Sequence, residues 1–264
     1  MRVFLTLAYD GAGLFGWQRQ AGVATVQEHL EAALGTIFGQ AVRVEGAGRT
    51  DAGVHAFGQV AHADLPRAFP TATLLRALNG NLPDQIAVRA VREVGPATHA
   101  RFSALGKRYG YRFLVGPERP VLARGYYHWV RRPLDVDAMR AGARALVGEH
   151  DFASFATNPG YTRKNGTVRR IDRVHLIRRP RGVDLVVQGN GFLYNMVRTI
   201  AGTLRDIGCG KHPPSHLEAV LRARDRRSAS ATLEPGGLYL LRVIYPRDGI
   251  ELPGESAGAA TVDG

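Results

Sequence analysis

The sequence predicts an α+β fold: two ferredoxin-like (split βαβ) halves joined through an extended antiparallel sheet, with helices on one face. Three observations predict it. Strand-like and helix-like segments of residues 1–100 follow the order β-α-β-β-α-β, which is that of a split βαβ unit. The segments after residue 100 repeat the theme with insertions. The chain has 264 residues with 45% hydrophobic content, enough for two cored α+β units. The expected divisions are 1–100, 101–247, and a disordered tail over 248–264, where "ELPGESAGAATVDG" carries no aromatic residue and little apolar pattern.

The elements follow in chain order. "RVFLTLAY" alternates as a strand does. "TVQEHLEAALGTIFG" reads as a helix. Thr25 and Glu28 form a capping box, Val26, Leu30, Ala33 and Ile37 share a face, and Gly39 ends it. "QAVRVEGA" and "GQVAHADL" read as strands flanking a glycine-rich loop. "TATLLRALNGNLP" reads as a short helix stopped by Gly80 and Pro83, and "QIAVRAVREV" as a strand. "KRYGYRFLV" and "YYHWV" are strands, and "DVDAMRAGARALVG" is a helix between Asp135 and Gly148. "TVRRIDRVHLIRRP" and "GVDLVVQGN" make a hairpin. "FLYNMVRTIAGTLRDIG" is a helix with Leu193, Met196, Ile200, Leu204 and Ile207 on one face. "PSHLEAVLRA" is a further helix and "GLYLLRVIYP" a closing strand.

Composition narrows the function. Net charge is +12, with 32 Arg and only 3 Lys. A GC-rich genome explains Arg over Lys, but not the excess of positive charge. Such a balance points to a polyanionic partner, most simply nucleic acid. One cysteine, Cys209, rules out an intramolecular disulfide and a Cys-rich zinc site. The nine histidines show no metal-ligand spacing, so no metal site is expected. No apolar run reaches membrane-spanning length, and the N-terminus does not read as a signal peptide. The cytoplasm is the expected location.

Gly11, Gly13 and Gly16 have the spacing of a dinucleotide-binding loop. Such a loop must lead directly into a helix whose N-terminus holds a pyrophosphate. Here the helix begins only at Thr25, and the acidic residue expected about 20 positions on is missing. The cofactor reading fails on context.

Chemistry is better placed at "GAGRTDAGVHA", where Gly46, Gly48 and Gly53 bracket Arg49, Thr50 and Asp51. Glycines let a backbone approach a ligand closely, and a guanidinium keeps a nearby carboxylate ionised and oriented. Asp51 is then a candidate nucleophile or base. The alternative is a structural salt bridge tying down a turn. In "ARFSALGKRYGYRF", Tyr109 and Tyr111 share one strand face, with Arg108 and Arg112 on the other. Aromatics interleaved with cations suit base stacking and phosphate contact; the alternative, which the pattern favours for at least one of the two tyrosines, is an ordinary half-buried strand with aromatic core residues. "YTRKNGTVRRIDRVHLIRRPRG" holds eight cations and one acid, Asp172, which fits a phosphate-contacting stripe or a solvated face.

"YDGAGLFGWQRQ", "TVQEHLEAAL", "GRTDAGVHA", "HARFSALGKRYGYRF", "DFASF", "NGFLYNMVR" and "GLYLLRVIYP" occur here in the order seen in the TruA family of tRNA pseudouridine synthases. The chain resembles that family over all but its tail. The resemblance implies isomerisation of uridine to pseudouridine at positions 38, 39 and 40 of the tRNA anticodon arm, by a homodimer with no cofactor. It implies Asp51 as the catalytic residue, Arg49 as a positioning residue, Tyr109 packed on the target base, and Arg198 paired with the catalytic carboxylate. It also carries over Arg101 and Phe102 as RNA contacts, and Arg163 and Lys164 from a more variable loop. "RFSA" replaces the family's usual "RFDA".

Overall fold

The computed structural model describes residues 1–157 and 166–246. Arg163, Lys164 and the 248–264 segment lie outside the described residues. The chain divides into two compact units. The first holds Met1–Ala52, Ala56–Leu105 and the chain from Arg242, and the second holds Gly53–His55 and Gly106–Leu241.

The first unit is built from β1 (Arg2–Tyr9), α1 (Val26–Phe38), β2 (Val44–Gly46), β3 (His55–Asp64), α2 (Thr71–Asn81) and β4 (Ile86–Val94). Its strands run in the order β4-β1-β3, with β2 on the far side of β3. Every one of these pairings is antiparallel. Leu5 of β1 stands opposite Ala61 on one side and Val91 on the other. Val3, Leu5 and Leu7 alternate with period two and are fully buried. Phe4 points the other way, onto the ring of Tyr245.

Local chemistry fixes α1 as the sequence predicts. Thr25 is extended, and its side chain accepts from the Glu28 N–H. Gly39 closes the helix at φ 70°, donating to Gly35 O. Its buried face is Val26, Leu30, Ala33 and Leu34, the last in place of the expected Ile37, which is only half-buried; each larger buried side chain contributes roughly 1.5–3 kcal/mol. α2 runs through Gly80 to Asn81, so of the two expected stops Pro83 acts and Gly80 does not. The break comes at Leu82, which is extended at ψ 150° because Pro83 follows it.

The second unit holds β5 (Gly106–Val115), β6 (His128–Val130), α3 (Val136–Ala143), β7 (Gly148–Asp151), β8 (Val168–Arg179), β9 (Gly182–Gly189), α4 (Met196–Gly208) and α5 (His216–Ala223). The last strand, β10 (Leu238–Ile244), begins in this unit and ends in the first. The order β5-β9-β8-β7 is antiparallel, with β6 parallel to β5. β8 and β9 form the expected hairpin, and Leu193, Met196, Ile200, Leu204 and Ile207 form a buried row. α4 starts at Met196, not at Phe192 as expected. Asn195 sits in the left-handed region at φ 64°, which a helix interior does not allow. β7 was not expected, since "GEHD" shows no alternation of apolar residues.

The architecture is therefore mixed α+β with largely antiparallel sheet. No helix among the described residues is long and apolar enough to cross a membrane.

Candidate active site

Asp51 lies in the loop between β2 and β3, two residues before the chain first enters the second unit at Gly53. The loop is anchored from below by its own neighbours. The Ala47 N–H donates to Val60 O at 2.7 Å. Gln59, fully buried, donates from Nε2 to Gly48 O at 2.9 Å. Thr50 is buried, and its Oγ1 is 2.8 Å from the Tyr9 hydroxyl. Burial pushes the Tyr9 phenol up to about 12, so it stays neutral as a hydrogen-bonding post. The Trp17 N–H donates to Thr50 O at 3.1 Å. Thr50 is thus fixed through both side chain and backbone, and Arg49 and Asp51 flank it.

The N-terminal glycines find their physical role here. Gly16 has φ 83°, and a Cβ on it would lie 2.4 Å from Thr50 O. Only glycine lets the Gly16–Trp17 backbone close on the Asp51 loop. Trp17 is 2% exposed and packs against Gly46, where a Cβ would meet the indole at 2.5 Å. The stretch "GLFGWQ" is a buttress of the loop. Gln18 extends it, accepting at Oε1 from Arg49 Nε at 3.2 Å and donating from Nε2 to Gln27 Oε1 at 2.7 Å. Arg49 is exposed and Asp51 half-buried.

The first unit also displays Arg101 and Phe102 on a turn after β4. Phe102 is 77% exposed, and the Arg101 guanidinium lies 5.7 Å from its ring centroid. Near this turn Glu45, His62 and His99 bring one ligand-type atom each within 4.8 Å of the others. The chemistry does not fit a cation. Both imidazoles accept backbone N–H at Nδ1, from Ala100 into His62 and from Arg101 and Phe102 into His99. Their protons therefore sit on Nε2, whereas a ligand histidine bound through Nε2 carries its proton on Nδ1.

In the second unit, Tyr109 lies on β5 with its ring edge-on to Phe192 at 5.1 Å, and is 8% exposed. Tyr111 shares that face and is fully buried, its hydroxyl donating to Glu234 O at 2.9 Å. Burial drives its phenol well above the usual range, with Glu234 adding to the rise and Arg198 and Arg205 opposing it. On the other face Arg108 binds Gln188 Oε1 through two nitrogens, and Arg112 lies 4.9 Å from the Tyr239 ring centroid.

Arg198 occupies the first turn of α4 and is half-buried. Its Nε donates to Leu233 O at 2.6 Å and its Nη1 to Asn195 Oδ1 at 2.9 Å. Asn195 in turn donates to Thr157 Oγ1 at 3.0 Å. The left-handed Asn195 thus sets both the start of α4 and the aim of Arg198. Next to Leu233, Glu234 Oε2 meets His128 Nδ1 at 2.5 Å. That hydrogen bond holds the Glu234 carboxyl below its usual range, against partial burial.

The structure therefore brings Arg49 and Asp51 together on one anchored loop, Arg101 and Phe102 on one turn, and holds Tyr109 and Arg198 in the second unit. Sequence reasoning missed Tyr9, Gln59, Asn195 and the Leu233–Glu234 segment. Asn195, a polar residue before an apolar helical row, was the one with a readable signal.

A family model described as tRNA pseudouridine synthase matches residues 6–103 and 143–246. Arg49, Asp51, Arg101, Phe102 and Arg198 fall within the matched segments, and Tyr109 falls between them. A protein of Rhodospirillum rubrum called tRNA pseudouridine synthase A is 44% identical over 254 residues, covering 93% of this chain and 88% of its own. One of the same name from Psychromonas ingrahamii is 42% identical, covering 93% of this chain and 94% of its own. Another from Pseudomonas aeruginosa is 43% identical, covering 100% and 92%. A chain in a solved Cbf5-Nop10-Gar1 complex aligns at TM-score 0.37 and 11% identity, over 90% of this chain and 57% of that one. Likeness at that level carries no argument.

Proposed function

The chain belongs to the tRNA pseudouridine synthase family, an isomerase family acting on uridine in tRNA, and from that premise we propose that it acts at positions 38, 39 and 40 of the anticodon arm with Asp51 as its catalytic carboxylate. The observation that carries this reading is the Asp51 loop. Its backbone is tied at Gly48 and Thr50, and Arg49, two residues before Asp51 on the same loop, is held by Gln18.

The reaction breaks N1–C1′, turns the uracil and joins C5 to C1′; C5 gives up its hydrogen as a proton and the freed N1 takes one up. Oxidation state does not change and no group is added. One oriented carboxylate, acting as nucleophile, suffices on the protein's side. A uridine in a stem must first be extruded, at a cost of a few kcal/mol, and phosphate contacts to a +12 protein offset that cost. Recognition by backbone charge and shape, with little base readout, suits an enzyme serving adjacent positions.

The same proposal includes the other roles carried by the resemblance. These are Tyr109 against the target base, Arg198 and Arg49 as positioning cations, Arg101 and Phe102 as RNA contacts, and Arg163 and Lys164 as contacts outside the described residues. It includes two ferredoxin-like halves, a reading supported by the β4-β1-β3-β2 order of the first unit. It also includes a cytoplasmic homodimer. An RNA-binding module without catalysis is the rival class.

The test is tritium release from tRNA labelled at uridine C5. Wild type is expected to release tritium. Asp51→Asn is expected to release none while binding tRNA with nearly unchanged affinity. Release by Asp51→Asn would remove Asp51 from the mechanism, and no release by wild type despite binding would favour the rival.

A further inference from the structure

The turn carrying Arg101 and Phe102 is held at each backbone N–H from His99 to Ser103. His99 Nδ1 accepts from the Arg101 N–H at 3.0 Å and the Phe102 N–H at 3.3 Å. Ser103 Oγ accepts from the His99 N–H, and the Ser103 N–H donates back to His99 O, both at 3.0 Å. The Ala100 N–H donates to His62 Nδ1 at 3.3 Å, and Ala100 O accepts from the Tyr245 hydroxyl at 2.6 Å. Accepting from the amides two and three residues ahead is the role Asn, Asp or Ser plays at a helix start or an Asx-turn. Here an imidazole plays it.

That substitution of chemistry has a consequence. A carboxamide keeps its acceptor at every pH, whereas an imidazole loses it on protonation, because both ring nitrogens then become donors. The exposed Phe102 ring leans on the same imidazole, with ring centroids 4.3 Å apart. Both the backbone and the side chain of the displayed pair therefore register on His99.

We propose that His99 is the positioning residue that sets Arg101 and Phe102 for contact with RNA, and that protonation of its Nδ1 releases them. This rests on the reading that Arg101 and Phe102 touch RNA. The charged and titratable groups that meet His99 are Glu45 on β2, with Oε2 3.3 Å from His99 Nε2, His62 on β3, and Arg101 on the turn itself; Arg2 on β1 and Asp64 on β3 act on the neighbouring His62. Glu45 faces the Nε2 edge, so it accepts the proton already there and leaves Nδ1 to the amides. Burial, then His99 and Arg2, push His62 below the ordinary histidine range. That direction favours the neutral form of His62, the form in which its Nδ1 accepts from Ala100.

The proposal predicts a sign opposite to simple electrostatics. Protonating a histidine adds positive charge and on that ground tightens binding to RNA. Releasing the turn weakens it. The experiment measures Kd for an unmodified tRNA transcript at constant salt between pH 5.5 and 8.5, with wild type, His99→Asn, His99→Ala, Arg101→Ala and Phe102→Ala. His99→Asn keeps the acceptor and removes the titration. At pH 8.5 it is expected to bind as wild type, while His99→Ala binds about fivefold more weakly, the scale of one lost cap. The ratio of wild-type Kd to His99→Asn Kd is expected to rise as pH falls. A ratio that stays flat or falls overturns the proposal, as does wild-type affinity in His99→Ala when Phe102→Ala is weakened. Wild-type affinity in both Arg101→Ala and Phe102→Ala overturns the RNA-contact reading beneath it. If His99→Ala does not fold, the His99→Asn pH series decides.

Discussion

Replacing Gly16 by Ala tests whether the N-terminal glycine stretch buttresses the Asp51 loop. Two costs follow from the geometry. Gly16 has φ 83°, and a side chain in that region costs about 1–2 kcal/mol. The added Cβ would lie 2.4 Å from Thr50 O, 3.0 Å from the Asp51 carbonyl carbon and 3.2 Å from the Ala52 nitrogen. These are backbone atoms of the loop itself, with no flexible side chain to yield. Relieving the clash stretches the bond from the Trp17 N–H to Thr50 O, worth about 1 kcal/mol. The sum is ~2–3 kcal/mol, which lowers Tm by about 5–10 °C in a chain of this size. The same relief shifts residues 50–52 by a sizeable fraction of an ångström, and misplacement on the order of 1 Å costs about a hundredfold in rate. Tritium release at saturating tRNA is expected to fall roughly ten- to a hundredfold. Gly13→Ala is the control. Gly13 has φ 77°, and nothing lies within 4 Å of its added Cβ. It is expected to lose ~1–2 kcal/mol of stability and to keep wild-type turnover. Full activity in Gly16→Ala, or an equal loss in Gly13→Ala, would refute the argument that the stretch positions the loop.

Glu234 offers a pH test. Its carboxyl is held down chiefly by the hydrogen bond from His128. A depressed carboxyl stabilises the fold above its unfolded pKa of about 4.3, and that contribution is lost as pH falls through the folded value. Much of the side chain meets solvent, so the effect is small. Tm measured from pH 6 to pH 3 is expected to fall less steeply for Glu234→Gln than for wild type, and parallel curves would count against the pair. Binding of tRNA is expected to weaken steeply with salt, log Kd against log salt giving a slope of several units; a flat response would argue against phosphate tracking.

Much of the local structure was legible because its causes are local. Thr25, Glu28 and Gly39 bound α1 through interactions within a few residues. The buried row of α4 follows from apolar spacing alone. Legibility failed where a neighbour's conformation decided. For α2 the Pro83 stop was legible, but Gly80 stayed inside the helix, its cost of about 1 kcal/mol too small to end it. α4 lost its expected first turn because Asn195 turned left-handed while its side chain served Arg198 and Thr157.

The candidate residues show the same division. "GRTDAGVHA" marks Asp51 in the sequence because glycines and a paired cation and acid are chemical signals that survive without coordinates. The supports of that loop are Tyr9, Trp17, Gln18 and Gln59. They are ordinary residues, scattered along the chain. Periodicity told which faces of the strands and helices are buried, since burial follows from residue type and spacing. It could not tell that a buried tyrosine on β1 holds a threonine forty-one residues later, or that His99 caps a turn that displays Phe102. Those roles arise when hydrogen-bond donors and acceptors distant in sequence are brought within about 3 Å. Hydrophobic pattern carries no record of which polar group will meet which. By itself the sequence determined the class of fold and the chemical signature of the loop, and its charge pointed to a polyanionic partner. Tertiary structure alone decided which side chains hold that loop still.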